Sequence, residues 1–314
     1  MAEQSPATLT AVIASDDAFA DVPAGVKVTV ETLKFGSASG ATPAPSGVKN
    51  WEAFDGTLLT VCFVYADRYV VEGTAVMIGL GLALSAKHVI DDHLDALIAG
   101  QASLYCDGMR LSGKLDIWEC YALTTNGARD TGDLELLSLK LVSDIPGDGR
   151  FVVAPLTTRI PPPGELVTVA GFRFEEPVFV SSLNDPVTLA GRMYMSQGFA
   201  GEFSNPIHDS VLAPYPTIEI LSGALGGMSG GAVLDRNGHL IGVTSLSLES
   251  GDQEGPTLAA WWMQAYCWRL SSHTWPSGVH YNNMALCDMQ TVQIVGREYV
   301  QVLDESNFEL NRWV

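Results

Sequence analysis

The chain has 314 residues, 47% of them hydrophobic, and a formal charge of −19. So apolar a chain buries a large core, which excludes intrinsic disorder. The negative charge argues against nucleic acid as a partner, because phosphates would be repelled. No run of 18 or more apolar residues is present, so no membrane span is expected.

Residues 1 to 50 read as an N-terminal extension. It holds one strand, over Val26–Leu33, where apolar and polar residues alternate. A linker rich in Gly, Ser and Pro follows over Gly36–Gly47. Short strands come next: Leu58–Tyr65, Tyr69–Ile78, Leu80–Ser85, Ser103–Tyr105, Gly113–Cys120 and Leu134–Leu141. A join is expected at Asp144–Arg150 or at Pro161–Gly164. Beyond it lies a second series, Glu165–Phe172, Val178–Ser182, Pro186–Met195, Thr217–Leu221, Ala232–Leu234 and Leu240–Ser247. Asp235-Arg236-Asn237-Gly238 is a hairpin turn between the last two. Many short strands punctuated by turn residues predict an all-β barrel or sandwich. Thr257–Leu270, following Pro256, predicts a helix, and Thr291–Val295 with Glu298–Leu303 predicts a hairpin around Gly296 and Arg297.

One stretch carries chemistry: Gly226-Gly227-Met228-Ser229-Gly230-Gly231, with an apolar strand directly behind it. Glycine serves where the backbone needs φ > 0 or where another group approaches closely. A serine on such a turn exposes its hydroxyl, and the N–H groups of Ser229 and Gly227 are placed to form an oxyanion hole. The bland alternative is a Gly-rich turn with an inert serine. A hydroxyl nucleophile needs a base, itself oriented by a third group. His88 stands where the apolar strand ending at Ser85 runs into a turn, and Asp133 opens the strand Leu134–Leu141. His93 lies close by in a polar turn, where an exposed surface histidine is the default. Asp130 lacks a following apolar strand and reads as a turn cap.

The chain resembles the trypsin-like, chymotrypsin-fold serine peptidases, in the style of the disulfide-free bacterial members. Leu84-Ser85-Ala86-Lys87-His88-Val89, Asp133-Leu134-Glu135-Leu136-Leu137 and Gly227-Met228-Ser229-Gly230-Gly231 match its three boxes, in His, Asp, Ser order. Pro163–Phe172 is similar to the strand that opens the family's second barrel. The resemblance implies two antiparallel Greek-key β-barrels, with a C-terminal helix and terminal extensions here. The first barrel is expected over residues 51–150 and the second over 151–256, leaving 257–314 as a helix and hairpin extension. It implies Ser229 as nucleophile, His88 as base, Asp133 as the orienting carboxylate, and an oxyanion hole at Gly227 and Ser229. It also implies that Thr244, Ser245, Leu246 and Ser247 line the substrate, with Ser245 holding the aspartate. Trypsin's pocket aspartate is replaced by Gly223, so preference for Arg or Lys is unsupported and a small or medium apolar residue is expected before the cut. Glu249, Asp252 and Glu254 are further candidates to line that pocket.

Met228 stands where family zymogens keep an aspartate for their new N-terminus, which argues against that route of activation. The expected activity is endopeptidase cleavage through an acyl-enzyme; the alternative is an idle protease fold used as a scaffold. Protein or peptide substrates are the expected partners, and a regulatory protein is a further candidate at the terminal extensions. No cofactor and no metal are expected. The five cysteines, Cys62, Cys106, Cys120, Cys267 and Cys287, show no CxxC spacing and read as buried free thiols. With a start, Met1–Pro6, that lacks the pattern of a secretory signal, they suggest a cytoplasmic setting.

Overall fold

A computed structural model describes residues 7–11, 26–30, 55–110, 115–122, 132–143, 151–174, 177–181, 191–247, 256–270, 273–274, 280–281, 283–304 and 307–311. The first elements are the strands β1 (Ala7–Ala11) and β2 (Val26–Val30), paired antiparallel. Then come β3 (Leu58–Tyr65), β4 (Arg68–Gly79) and β5 (Leu82–Ser85), followed by the short helices α1 (Lys87–Asp91) and α2 (Leu94–Ile98). The strands β6 (Ala102–Met109), β7 (Leu115–Ala122) and β8 (Glu135–Leu141) complete the first barrel. Its pairing order is β4-β3-β6-β7-β8-β5, closed by β5 returning to β4.

The chain crosses over through β9 (Leu156–Thr157) and enters β10 (Leu166–Phe174). The strand β11 (Val178–Phe179) reaches back to pair with β4 of the first barrel. The strands β12 (Gly191–Ser204), β13 (Thr217–Leu221), β14 (Ala232–Leu234), β15 (Leu240–Ser247) and β16 (Thr257–Trp261) follow. With β10 they form the order β10-β12-β13-β16-β15-β14, closed by β14 returning to β10. In both barrels the first strand pairs with the second and fourth, and the third pairs with the second and sixth. The double barrel is thus one six-stranded connectivity used twice.

The outer face of the first barrel is not left to solvent. Along β3, Leu59, Val61 and Phe63 fill one core, while Leu58, Cys62 and Val64 join a second core shared with the other barrel. With both faces covered, the strand reads as a continuous apolar run rather than an alternating one. All five cysteines are free and buried. Among the described residues no helix is long and apolar enough to cross a membrane.

Two local expectations are corrected. Thr257–Leu270 is not a helix: Thr257–Trp261 is β16, Trp262–Ala265 a single 3₁₀ turn and Arg269–Leu270 a short strand. Every residue of β16 is buried between β13 and β15, and pairing there closes the second barrel. A buried apolar run of five carries no period that separates strand from helix, and tertiary pairing overrides the helix propensity of its alanines. The second barrel therefore runs past residue 256. The C-terminal hairpin is also shifted, because Ile294–Val295 adds in parallel beside β9 and Val300–Val302 pairs instead with Phe308–Leu310. The linker Gly36–Gly47, Asp130 and the 144–150 join lie outside the described residues.

Candidate active site

The glycines around Ser229 are explained by two successive tight turns. The Met228 N–H donates to the Leu225 carbonyl at 3.0 Å, and the Gly231 N–H donates to the Met228 carbonyl at 2.9 Å. The third residue of each turn, Gly227 at φ 89° and Gly230 at φ 79°, has the positive φ that a type II turn demands there. Among the described residues, neither the Gly227 N–H nor the Ser229 N–H has a hydrogen-bond acceptor. These two donors are therefore available to a ligand oxygen. Met228 is fully buried and packs on Gly171, with the Leu225 N–H pointing to its sulfur at 3.3 Å.

This loop is fastened to the first barrel through Thr74 of β4. The Thr74 N–H donates to the Ser229 carbonyl at 2.8 Å, its hydroxyl accepts from the Phe172 N–H at 2.8 Å, and its carbonyl accepts from the Ser85 hydroxyl at 2.7 Å. A methyl group at Gly230 would lie 2.0 Å from the Thr74 carbonyl and 2.4 Å from the Ser85 hydroxyl. Gly230→Ala is therefore expected to cost at least about 3 kcal/mol, adding left-handed strain to a steric clash. Gly226 is exposed with nothing within 4 Å of the same position, and Gly226→Ala is expected to stay within about 0.5 kcal/mol. Urea midpoints of the two variants check the contrast.

His88 sits in the first turn of α1, a helix that starts as soon as β5 ends. Asp133 lies at the mouth of β8, the strand paired with β5, so barrel closure brings the two together. The Asp133 carboxylate accepts the His88 main-chain N–H at 3.0 Å and His88 Nδ1 at 2.8 Å. A carboxylate only accepts, so Nδ1 carries the proton and Nε2 is left as the free lone pair. From the second barrel, the Ser245 hydroxyl donates to Asp133 Oδ2, the same oxygen that His88 Nδ1 approaches at 2.8 Å. The Tyr215 hydroxyl lies 2.6 Å from Ser245 Oγ. Burial lowers the His88 pKa, but the hydrogen bond and charge of Asp133, with Asp92 and Asp91, reverse this and raise it above 6.5. Burial raises the Asp133 pKa, but hydrogen bonds from His88 and Ser245 and the His88 charge bring it below 3.8.

The Ser229 and His88 segments converge on Gly73. A methyl group there would meet Val89, the neighbour of His88, at 2.8 Å and the Ser229 carbonyl at 2.9 Å. Among the described residues the Ser229 hydroxyl makes no hydrogen bond to His88. Catalytic hydrogen bonds are often long or misaligned in unliganded enzymes and tighten once substrate binds. A cleft of about 480 Å³ opens over the network, walled by His88, Asp133, Leu212, Pro214, Tyr215 and Leu246. A larger cavity of about 1170 Å³ adjoins it across Pro214, beside Trp261, Trp268 and Phe308, and is lined by none of the candidate catalytic residues.

The remaining candidates take varied places. Thr244–Ser247 is the end of β15, with β16 along one side and a bulge at Ser245. Gly223 is buried, its carbonyl accepting the Ser196 hydroxyl at 2.9 Å, beside Ser222, whose carbonyl accepts from Thr257. Glu249, Asp252 and Glu254 lie outside the described residues. His93 is corrected: its ring stacks on Phe63 at 3.9 Å, bonds Tyr65 at 2.6 Å and is only 13% exposed. Its polar neighbours in sequence hid an apolar seat supplied by β3. Thr74 and Tyr215 were not singled out from sequence, and only the rigid Pro214-Tyr215-Pro216 triplet marks the second.

A family model described as a trypsin-like peptidase domain matches residues 73–243, more than half of the chain. Similar solved structures include Deg5 (15% identity, TM-score 0.45, covering 67% of this chain and 86% of that one). Another is the HtrA-type protease AlgW with a decapeptide (15%, 0.47, 70% and 64%). A third is the inactive form of the Rv3671c protease (15%, 0.44, 70% and 92%). No curated protein matches. The chain belongs to the trypsin-like peptidase family and is a serine protease.

Proposed function

We propose that the chain is an endopeptidase in which Ser229 attacks a peptide carbonyl to form an acyl-enzyme. His88 Nε2 takes the serine proton and returns it to the leaving amine, while Asp133 holds the imidazole in the required tautomer. The developing oxyanion is received by the N–H groups of Gly227 and Ser229. The observation that carries this reading is the convergence on one seam of His88 with its Nδ1 on Asp133 and a serine turn whose two N–H donors have no acceptor among the described residues. Substrate main chain adds alongside Ser245–Ser247, on the side of β15 away from β16. Thr244 is corrected, because its N–H already donates to the Gly231 carbonyl at 2.8 Å and its carbonyl already accepts from the Gly230 N–H at 2.7 Å. With Gly223 standing where trypsin has its pocket aspartate and the Thr257 side chain bonded across to Ser222, we expect the residue before the cut to be small or medium and apolar.

Five buried free thiols suit a reducing compartment, and we place the enzyme in the cytoplasm. Met228, buried where zymogens carry an aspartate, leaves control to a protein partner at the terminal extensions. The deciding experiment is reaction of the full chain with a fluorophosphonate probe, read by peptide mass mapping. One adduct, on Ser229, is expected. An unlabelled chain, with or without candidate partners, would turn the reading to an idle scaffold.

A further inference from the structure

The tyrosine between Pro214 and Pro216 has no role in the mechanism above, yet it sits in the same hydrogen-bonded chain. Proline fixes its own φ and biases the residue before it to extended backbone, so this triplet holds Tyr215 in one conformation. The triplet is anchored from behind: the Trp261 N–H and the Gln264 side-chain amide both donate to the Pro216 carbonyl, each at 3.2 Å. The Gln264 side chain also covers Gly132, the residue before Asp133, where a methyl group would lie 2.3 Å from its oxygen. Tyr215 is 7% exposed, and its hydroxyl lies 2.6 Å from Ser245 Oγ. Burial, then the charge of Asp133, push its pKa up to about 12, so the phenol keeps its proton.

The direction of every hydrogen bond in this chain is forced. Asp133 only accepts, so Ser245 donates its single proton to it. Ser245 then has only lone pairs for Tyr215, and Tyr215 must donate. We infer that Tyr215 is a positioning residue for catalysis: its hydroxyl polarises Ser245, which in turn fixes the charge that Asp133 presents to His88. The inference rests on the triad reading. Hydrogen bonds in series strengthen one another, so the phenol at the far end tunes an imidazole it does not touch.

The test follows the rate of fluorophosphonate labelling of the full chain from pH 5 to 9, with the His88 pKa followed by NMR of its ring protons. Tyr215→Phe keeps the ring and its packing. It is expected to slow labelling at pH 7 by about three- to tenfold, the worth of one net hydrogen bond. It should also move the acid limb to higher pH, because a less stabilised carboxylate holds the His88 proton more tightly. Lys87, Asp91 and Asp92, which also flank His88, are unchanged by the substitution. In a Ser245→Ala background, Tyr215→Phe should have no further effect, since the link through which it acts is gone. 3-Fluorotyrosine at Tyr215, a stronger donor, should move the acid limb to lower pH. A wild-type rate and limb in Tyr215→Phe, or the same loss with and without Ser245, would overturn the inference. Failure of the triad reading is separate: it would appear as wild-type labelling in His88→Ala.

Discussion

Ser229→Ala is expected to lower peptide hydrolysis by about 10⁶-fold while leaving the urea midpoint unchanged. The two halves of this result have different causes. The substitution removes only the hydroxyl, which makes no hydrogen bond among the described residues, so no partner is orphaned. What fastens the turn is the Ser229 carbonyl, held by the Thr74 N–H at 2.8 Å, and that carbonyl survives. The neighbouring glycines keep the two turns, and the N–H donors of Gly227 and residue 229 remain. A residue of catalysis, about 10³–10⁴ over water, is therefore expected from the oxyanion donors and substrate binding alone. Turnover of fluorescein-labelled casein, compared with a no-enzyme control, measures both quantities. A variant retaining more than a few per cent of wild-type turnover would remove Ser229 as the nucleophile.

How much of this was legible in the sequence depends on whether a constraint is local. Gly227 and Gly230 are written by their own φ angles, and no other residue serves as well at the third position of those turns. His88 and Asp133 stand at the ends of paired strands, and a strand end is a local pattern. The all-β class followed from turn residues at short intervals, and family resemblance supplied the double barrel. By contrast, β16 was misread because its neighbours, β13 and β15, decide its conformation and no period within Thr257–Trp261 reports them. His93 sits among aspartates in sequence and against Phe63 in space. Thr74 looks like any strand threonine, yet it joins the nucleophile turn, β10 and the segment leading to His88. Its partners are distant in sequence, and no motif spacing encodes them. The same is true of Tyr215, whose hydroxyl meets a strand thirty residues away.

Asp133→Asn tests the other half of the seam, and its effect is expected to be about 10⁴-fold on turnover. The carboxylate receives three kinds of donor: the His88 main-chain N–H, His88 Nδ1–H and the Ser245 hydroxyl. An amide has one acceptor oxygen and two N–H donors. Its NH₂ facing Nδ1 would demand a lone pair there, pushing the His88 proton onto Nε2, where it blocks attack on the serine proton. The pH profile carries the sign. In the wild type Asp133 raises the His88 pKa above 6.5, and His88 must be neutral to act as base. Activity should therefore fall as the pH drops through a value above 6.5. Without the carboxylate charge, burial is left unopposed by its largest counterweight, and the acid limb of the residual activity should move to lower pH. The same shifts act on stability in opposite directions. Asp133, with its folded pKa lowered, stabilises the fold above about pH 4, and that contribution is lost as the pH falls through its folded value. His88, with its folded pKa raised, stabilises most below about pH 6.5, and that contribution is lost as the pH rises through its folded value. Urea midpoints from pH 3 to 9 should show both trends in the wild type and weaker ones in Asp133→Asn, where Glu165, held low by Arg159, and Asp107, pushed up to about 7 by burial, still contribute one each. An unshifted acid limb in Asp133→Asn would mean that another group sets the His88 pKa.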